Sequence, residues 1–189
     1  MGVGDRLNRR DVLKSGAVLV AGIALERSLR GETRGEFAEP KDEVWAVGND
    51  LIRREVGFRP GVGLYTKQLL NRATKTDLLV PGRDIAKAQP EFSFNCDGKA
   101  CNSNGGDFEL VGVSDASTSN GKSLSVRMKH KNLPLEVTAF YMIYTGHGAC
   151  RKFLVLKNTG AAPLRITHLM VETLELGLGP ENEMTLWVQ

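Results

Sequence analysis

Aromatic residues make up only 6% of this chain, and it has just three cysteines and three histidines. It also lacks any apolar run of about 20 residues, which excludes an ordinary membrane-spanning helix. No two of Cys96, Cys101 and Cys150 have the two-residue gap typical of zinc ligands, and His130, His147 and His168 are scattered. That pattern predicts no metal site. No glycine-rich phosphate loop is present, because Gly61-Val62-Gly63 lacks the further glycine and the following helix that such a loop needs. There is no Gly-x-Ser-x-Gly nucleophile elbow and no His-Glu-x-x-His. Acidic residues are plentiful, but a glycosidase pair is defined by separation across a cleft, which sequence spacing does not reveal. The residues therefore nominate no catalytic group, no metal and no cofactor.

What is present is an ordinary globular composition, 41% hydrophobic and 25% charged over 189 residues, enough for one domain with a real core. The net charge of +3 is unevenly placed. Residues 1–34 hold seven Lys/Arg and four acids, which leaves 18 of the 25 basic and 18 of the 22 acidic residues for the rest. The body is thus neutral, and the pI near 8.8 belongs to the leader. With no basic run carrying interleaved aromatics, nucleic acid is not an expected partner.

The leader has its own pattern. Asn8-Arg9-Arg10-Asp11-Val12-Leu13-Lys14 precedes a mild apolar run from Ser15 to Leu25. Arg9, Arg10, Leu13 and Lys14 match the twin-arginine export signal of bacteria, while Asn8 and Val12 depart from its commonest residues. A short amphipathic or disordered N-terminus with a chance Arg-Arg is the plainer alternative. No clean Ala-x-Ala follows Leu25, so the segment is either retained as an anchor or cut at an unplaced site. The expected organisation is a helical or disordered leader over 1–25, a charged flexible linker over 26–43, and a folded domain over 44–189. Its expected location is periplasmic or extracellular.

From Val44 onward the text reads as short strands. Val44–Val47, Leu51–Val56 and Gly63–Leu70 are separated by turn clusters at Gly48-Asn49-Asp50 and Arg59-Pro60-Gly61. Residues 71–90 read as loop. Glu91–Cys96 alternates as a strand, Asp97-Gly98 signals a turn, and Asp107–Val113 reads as the next strand. In Lys122–His130, Leu124, Val126 and Met128 face one way. The stretch Pro134–Leu176 contains three apolar runs divided by Thr145-Gly146-His147-Gly148 and Asn158-Thr159-Gly160, and is expected to form a three-stranded meander. In its first run Leu135, Val137, Ala139, Tyr141 and Ile143 share one side, the two-residue period of a strand. Met184–Gln189 reads as one further strand that stops within an apolar run, as expected for a portion of a larger protein. About ten strands with no helix after residue 43 predict an all-β fold, an antiparallel β-sandwich.

Few residues stand out as functional. Trp45 and Asp50 form a candidate sugar-contact set, indole for stacking and carboxylate for hydroxyls, against the bland reading of a core Trp and a turn Asp. His147, between two glycines, reads as an exposed turn residue with no base partner. Cys96 and Cys101 either bridge across the turn between them, worth about 2 kcal/mol for so small a loop, or remain free thiols. Cys150 reads as a small core residue.

The ordered text also resembles a known family. WAVGNDLIRREV, GLYTKQLLN, EFSFNCDG, DFELVGV and the run from Leu135 to Leu176 are similar to the N-terminal β-supersandwich of bacterial α-galactosidases of glycoside hydrolase family 36 and its clan D relatives. The most specific part comprises Arg151 before a strand, the Asn158-Thr159-Gly160 turn and Pro163-Leu164-Arg165-Ile166. The resemblance covers about residues 44–176, and its motifs are structural. It implies a galactose-mutarotase-like supersandwich preceding a (β/α)-barrel that carries both catalytic aspartates of a retaining mechanism. It implies galactosides as the parent enzyme's ligands and the C-terminal barrel as this domain's partner. In some members N-terminal loops reach an active site, sometimes across an oligomer, so a homo-oligomer belongs to the expectation. The alternative is a free-standing exported carbohydrate-binding or structural β-sandwich module.

Overall fold

Alternation drives the architecture. In the computed structural model, which describes residues 42–85 and 87–177, every regular element is a β-strand. Four strands, β1 (Glu43–Gly48), β2 (Ile52–Arg59), β3 (Gly63–Asn71) and the short β4 (Thr76–Asp77), form an antiparallel sheet in chain order. A second sheet runs β7 (Phe108–Thr118), β8 (Gly121–His130), β9 (Leu135–Tyr144), β10 (Cys150–Asn158), again in chain order. A third has the order β11-β5-β6, from Ile166–Met170, Ser93–Cys96 and Lys99–Asn102. The all-β antiparallel sandwich expected from the sequence is what these residues form.

The periodic residues do what period two requires. Leu135, Val137, Ala139, Tyr141 and Ile143 are all buried along β9, and Leu124, Val126 and Met128 along β8. They meet Ile52, Val56 and Phe58 of β2 and Phe94, Cys96 and Cys101 of the third sheet in one apolar core. Each such side chain is worth about 1.5–3 kcal/mol when fully buried, and none of these strands would hold its register without that one-sided burial.

Local chemistry sets the turns. Asp97 and Gly98 both have positive φ, 48° and 79°, the mirror-image two-residue turn whose twist suits a hairpin. Gly57 lies opposite Tyr65, whose ring covers the glycine so closely that an added Cβ would sit 2.4 Å from Cζ. A β-bulge at Lys67, between the Glu55 and Val56 pairings, shifts the β2–β3 register.

The structure corrects three expectations. First, Pro134–Leu176 is not a three-stranded meander. β9 and β10 form a hairpin, but β11 leaves and pairs with β5. At the corner, Asn158 bonds its own local backbone, accepting from Gly160 N and donating to Ala162 O, while Thr159 N donates to Pro134 O. Beyond it, Arg165 N donates to Asp97 Oδ1 and Asp97 N to Arg165 O, which ties the chain to the β5–β6 turn. Second, the strand after Asp97-Gly98 is Lys99–Asn102, not the segment starting near Asp107, which belongs to another sheet. Only Cys101 of those four residues is buried, too little alternation to read. Third, Asp42 and Glu43 belong to the fold rather than to the linker: β1 starts at Glu43, and Asp42 accepts bonds from Arg59 and Tyr65. Arg9, Arg10, Leu13 and Lys14, and the strand expected at Met184–Gln189, lie outside the described residues.

Candidate functional site: a buried ion cluster where the sheets meet

Arg54 occupies a place that strand periodicity reserves for an apolar side chain. It lies between Ile52 and Val56 on the inward phase of β2 and is 1% exposed. Lys152 does the same on β10, in phase with Leu154 and Leu156, and its side chain is 3% exposed. A buried cation persists only when paired and hydrogen-bonded, and here both share two carboxylates. Glu91, just before β5, lies 2.9 Å from Arg54 Nη2 and 2.7 Å from Lys152 Nζ. Glu172, after β11, lies 2.7 Å from Arg54 Nη1 and 3.1 Å from Lys152 Nζ. The cluster is neutral, two cations against two anions, and joins strands of the first two sheets to the segments flanking β5 and β11 of the third.

Hydroxyls complete it. Tyr141 of β9 donates to Glu91 Oε2 at 2.8 Å, and Thr66 of β3 donates to Glu91 Oε1 while accepting from Arg54 Nε at 3.0 Å. Both cations lie over the Tyr141 ring, Arg54 at 4.7 Å and Lys152 at 5.4 Å. Lys152 also donates to the Glu91 carbonyl. Among the described residues no buried side-chain N or O lacks a partner.

The titration behaviour follows from this geometry. Burial pushes the Glu91 carboxyl up, but Arg54, Lys152 and the Thr66 hydroxyl outweigh it and hold the group far below the carboxylate range. Burial also raises the Tyr141 phenol well above its ordinary value, and the Glu91 charge adds to the rise. Burial pushes the Cys150 thiol up, with Arg54 acting against it.

Two carboxylates bridged by the same cations invite comparison with a glycosidase pair, and the magnitudes decide against it. The cavity beside Glu91, lined also by Thr66, Arg83 and Gln89, has a volume of about 10 Å³. That holds at most one water molecule, far from a sugar ring. A carboxylate saturated by Arg54, Lys152, Thr66 and Tyr141 has no lone pair or proton to offer a substrate. What the arrangement can do is clamp the sheets together.

The sequence-nominated residues do not form a set. Trp45 lies on the core-packed phase of β1 opposite Val56, partly buried. Asp50 is exposed in the turn after β1. It lines a cleft of about 250 Å³ together with Asn49, Leu51, Lys122, Ile143 and Thr145, and Trp45 is not part of that lining. Asn49 braces this end of the domain by donating to the carbonyls of Tyr144 and His147, both at 2.7 Å. His147 is an exposed turn residue, as its glycine neighbours suggested. No protein family profile, curated protein or solved structure matches this chain.

Cys96 and Cys101 are free and buried, not bridged. Cys96 pairs with Lys99 and Cys101 with Phe94, so the two thiols are diagonal neighbours on one face of the hairpin. Diagonal positions stand about 7–8 Å apart, beyond the span of ordinary disulfide geometry. Cys150 is free and packs against the core.

Sequence reading missed Arg54, Glu91, Lys152 and Glu172. The available signal was a charged residue on the inward phase of an alternating strand, in Ile52-x-Arg54-x-Val56 and again in Cys150-x-Lys152-x-Leu154. No such pattern marks Glu91 and Glu172, which lie outside the strands.

Proposed function

We propose that this chain is a non-catalytic β-sandwich that packs on, and helps shape, the barrel of an exported hydrolase resembling the α-galactosidases of glycoside hydrolase family 36. The observation that carries the reading is the locked state of Glu91. The most deeply buried acid in the described residues is committed to two cations and two hydroxyls, beside a cavity of about 10 Å³. The motifs around Arg151, Asn158-Thr159-Gly160 and Pro163–Ile166 lend the family side of the reading its support. Galactosides are then ligands of the parent enzyme, with bond cleavage carried out by barrel residues.

The 189-residue chain is expected not to turn over an aryl α-galactoside. The reading frame is expected to continue beyond Gln189 in alternating strands and helices, as a (β/α)-barrel requires. Measurable turnover by the chain would overturn the first part, and a stop codon directly after Gln189 the second.

A further inference from the structure

The outward face of the β7–β10 sheet is divided by residue size. On β7 and β8 it carries small side chains over two rows, Ser114 opposite Ser125 and Ala116 opposite Ser123, with Gly112 opposite Arg127 in the row before them. On β9 and β10 the same rows carry Phe140 opposite Phe153 and Met142 opposite Arg151. Phe140 and Phe153 are stacked, centroids 4.7 Å apart and planes 6° from parallel. With Phe153 stacked on one side of Phe140, its direct cross-strand partner on the other side is Ser125. The result is a step: an aromatic wall beside a floor of hydroxyls, where Ser114 and Ser125 are 2.7 Å apart.

Charge on this face is also sorted. One row at its end alternates in sign, Glu109, Lys129, Glu136, Lys157, and Lys129 pairs with Glu109 at 3.1 Å. The next rows hold Arg127 and Arg151, both exposed and neither in an ion pair among the described residues. The Arg127 guanidinium reaches toward Gly112, 3.9 Å from where a Cβ would stand. Arg151 lies 5.7 Å from the Phe153 ring centroid. Two unneutralised guanidiniums thus flank the aromatic step, on strands β8 and β10, which lie either side of β9 and about 9.5 Å apart at ordinary strand spacing.

We infer that this face binds an acidic polysaccharide, a sugar ring lying against Phe140 over the serine floor and carboxylates engaging Arg127 and Arg151. Guanidinium suits a carboxylate because its planar donor fork matches the two oxygens. Hydroxyls both donate and accept, as sugar hydroxyls do. An aromatic face takes the apolar side of a ring. Nucleic acid is disfavoured because the body carries as many acids as bases, and a phosphate backbone draws its affinity from a surplus of cations. This surface is independent of whether a catalytic barrel exists, so its failure and that of the proposed function are separate results.

The test is affinity electrophoresis of the full chain in gels containing polygalacturonate, neutral galactan or single-stranded oligonucleotide. Retardation is expected in polygalacturonate alone. Arg127→Gln combined with Arg151→Gln should abolish it. Phe140→Ala should weaken it about tenfold, as for an interface anchor, with an unchanged urea midpoint showing that the fold is intact. Absence of retardation, equal retardation by the oligonucleotide, or retention unaffected by either variant in folded protein would overturn the inference.

Discussion

Glu91→Gln is the most informative perturbation of the fold. The substitution keeps the shape of the side chain and removes its charge. Arg54 and Lys152 then remain 1% and 3% exposed with only Glu172 to share, and Glu172 is itself 30% exposed. Tyr141 and Thr66 lose a charged acceptor for a neutral one. Hydrogen bonds to a charged group are worth about 1.5–3 kcal/mol each, but they are not additive within one network. The better guide is the cost of leaving a buried charge uncompensated, about 3–5 kcal/mol. With a urea m-value of about 2 kcal/mol/M for a domain of this size, the midpoint should fall by about 1.5–2.5 M. The control is the double variant Glu91→Gln with Arg54→Met, which leaves Lys152 and Glu172 as a balanced pair, 3.1 Å apart. Its loss should be clearly smaller than the sum of the two single losses. A midpoint drop below about 0.5 M for Glu91→Gln, or strict additivity in the cycle, would refute the view that these charges hold the sheets as one neutral unit.

The same cluster fixes an acid dependence. Glu91 has its folded carboxyl depressed far below the unfolded value of 4.5, so its contribution is fully present above about pH 4.5 and drains away as pH falls through and below that value. Urea midpoints between pH 7 and 3 should decline mainly below 4.5, and Glu91→Gln should flatten that decline; a curve of unchanged shape in the variant would contradict the assignment. Gly57→Ala places a Cβ 2.4 Å from the Tyr65 ring, whose hydroxyl is held by Asp42 at 2.6 Å. An overpacking loss of about 1–3 kcal/mol is expected in urea denaturation, and no loss would show the Tyr65 ring free to move. Burial raises the thiols of Cys96, Cys101 and Cys150. Iodoacetamide at pH 8 should therefore label them slowly in the folded chain, and all three rapidly once it is unfolded without reductant; two unlabelled cysteines in the unfolded chain would show a bridge.

Much of the fold was legible because burial on one face leaves a two-residue period, and the periods of β8 and β9 were intact. Legibility failed where an element was too short, as with Lys99–Asn102, or where a long-range tie redirected the chain, as Asp97 and Arg165 redirect β11. The candidate site was nearly illegible. Arg54 and Lys152 interrupt apolar phases, yet a lone charge in a strand does not name its partner, and Glu91 and Glu172 come from segments without period. Trp45 and Asp50 were nominated as a pair on residue type and nearness in sequence. The strand between them sends one to the core-packed phase and leaves the other in a turn.

Sequence alone determined the strand character of the domain, the inward sets Leu124-Val126-Met128 and Leu135–Ile143, and the mirror-image turn at Asp97-Gly98. Each depends on neighbours a few positions away, where sterics and side-chain period act directly. Tertiary structure alone decided that β11 joins β5, and that Arg54 meets Glu172, 118 residues later in the chain. Those outcomes depend on which charges can be neutralised once water is excluded, a condition that exists only after the sheets have closed on one another.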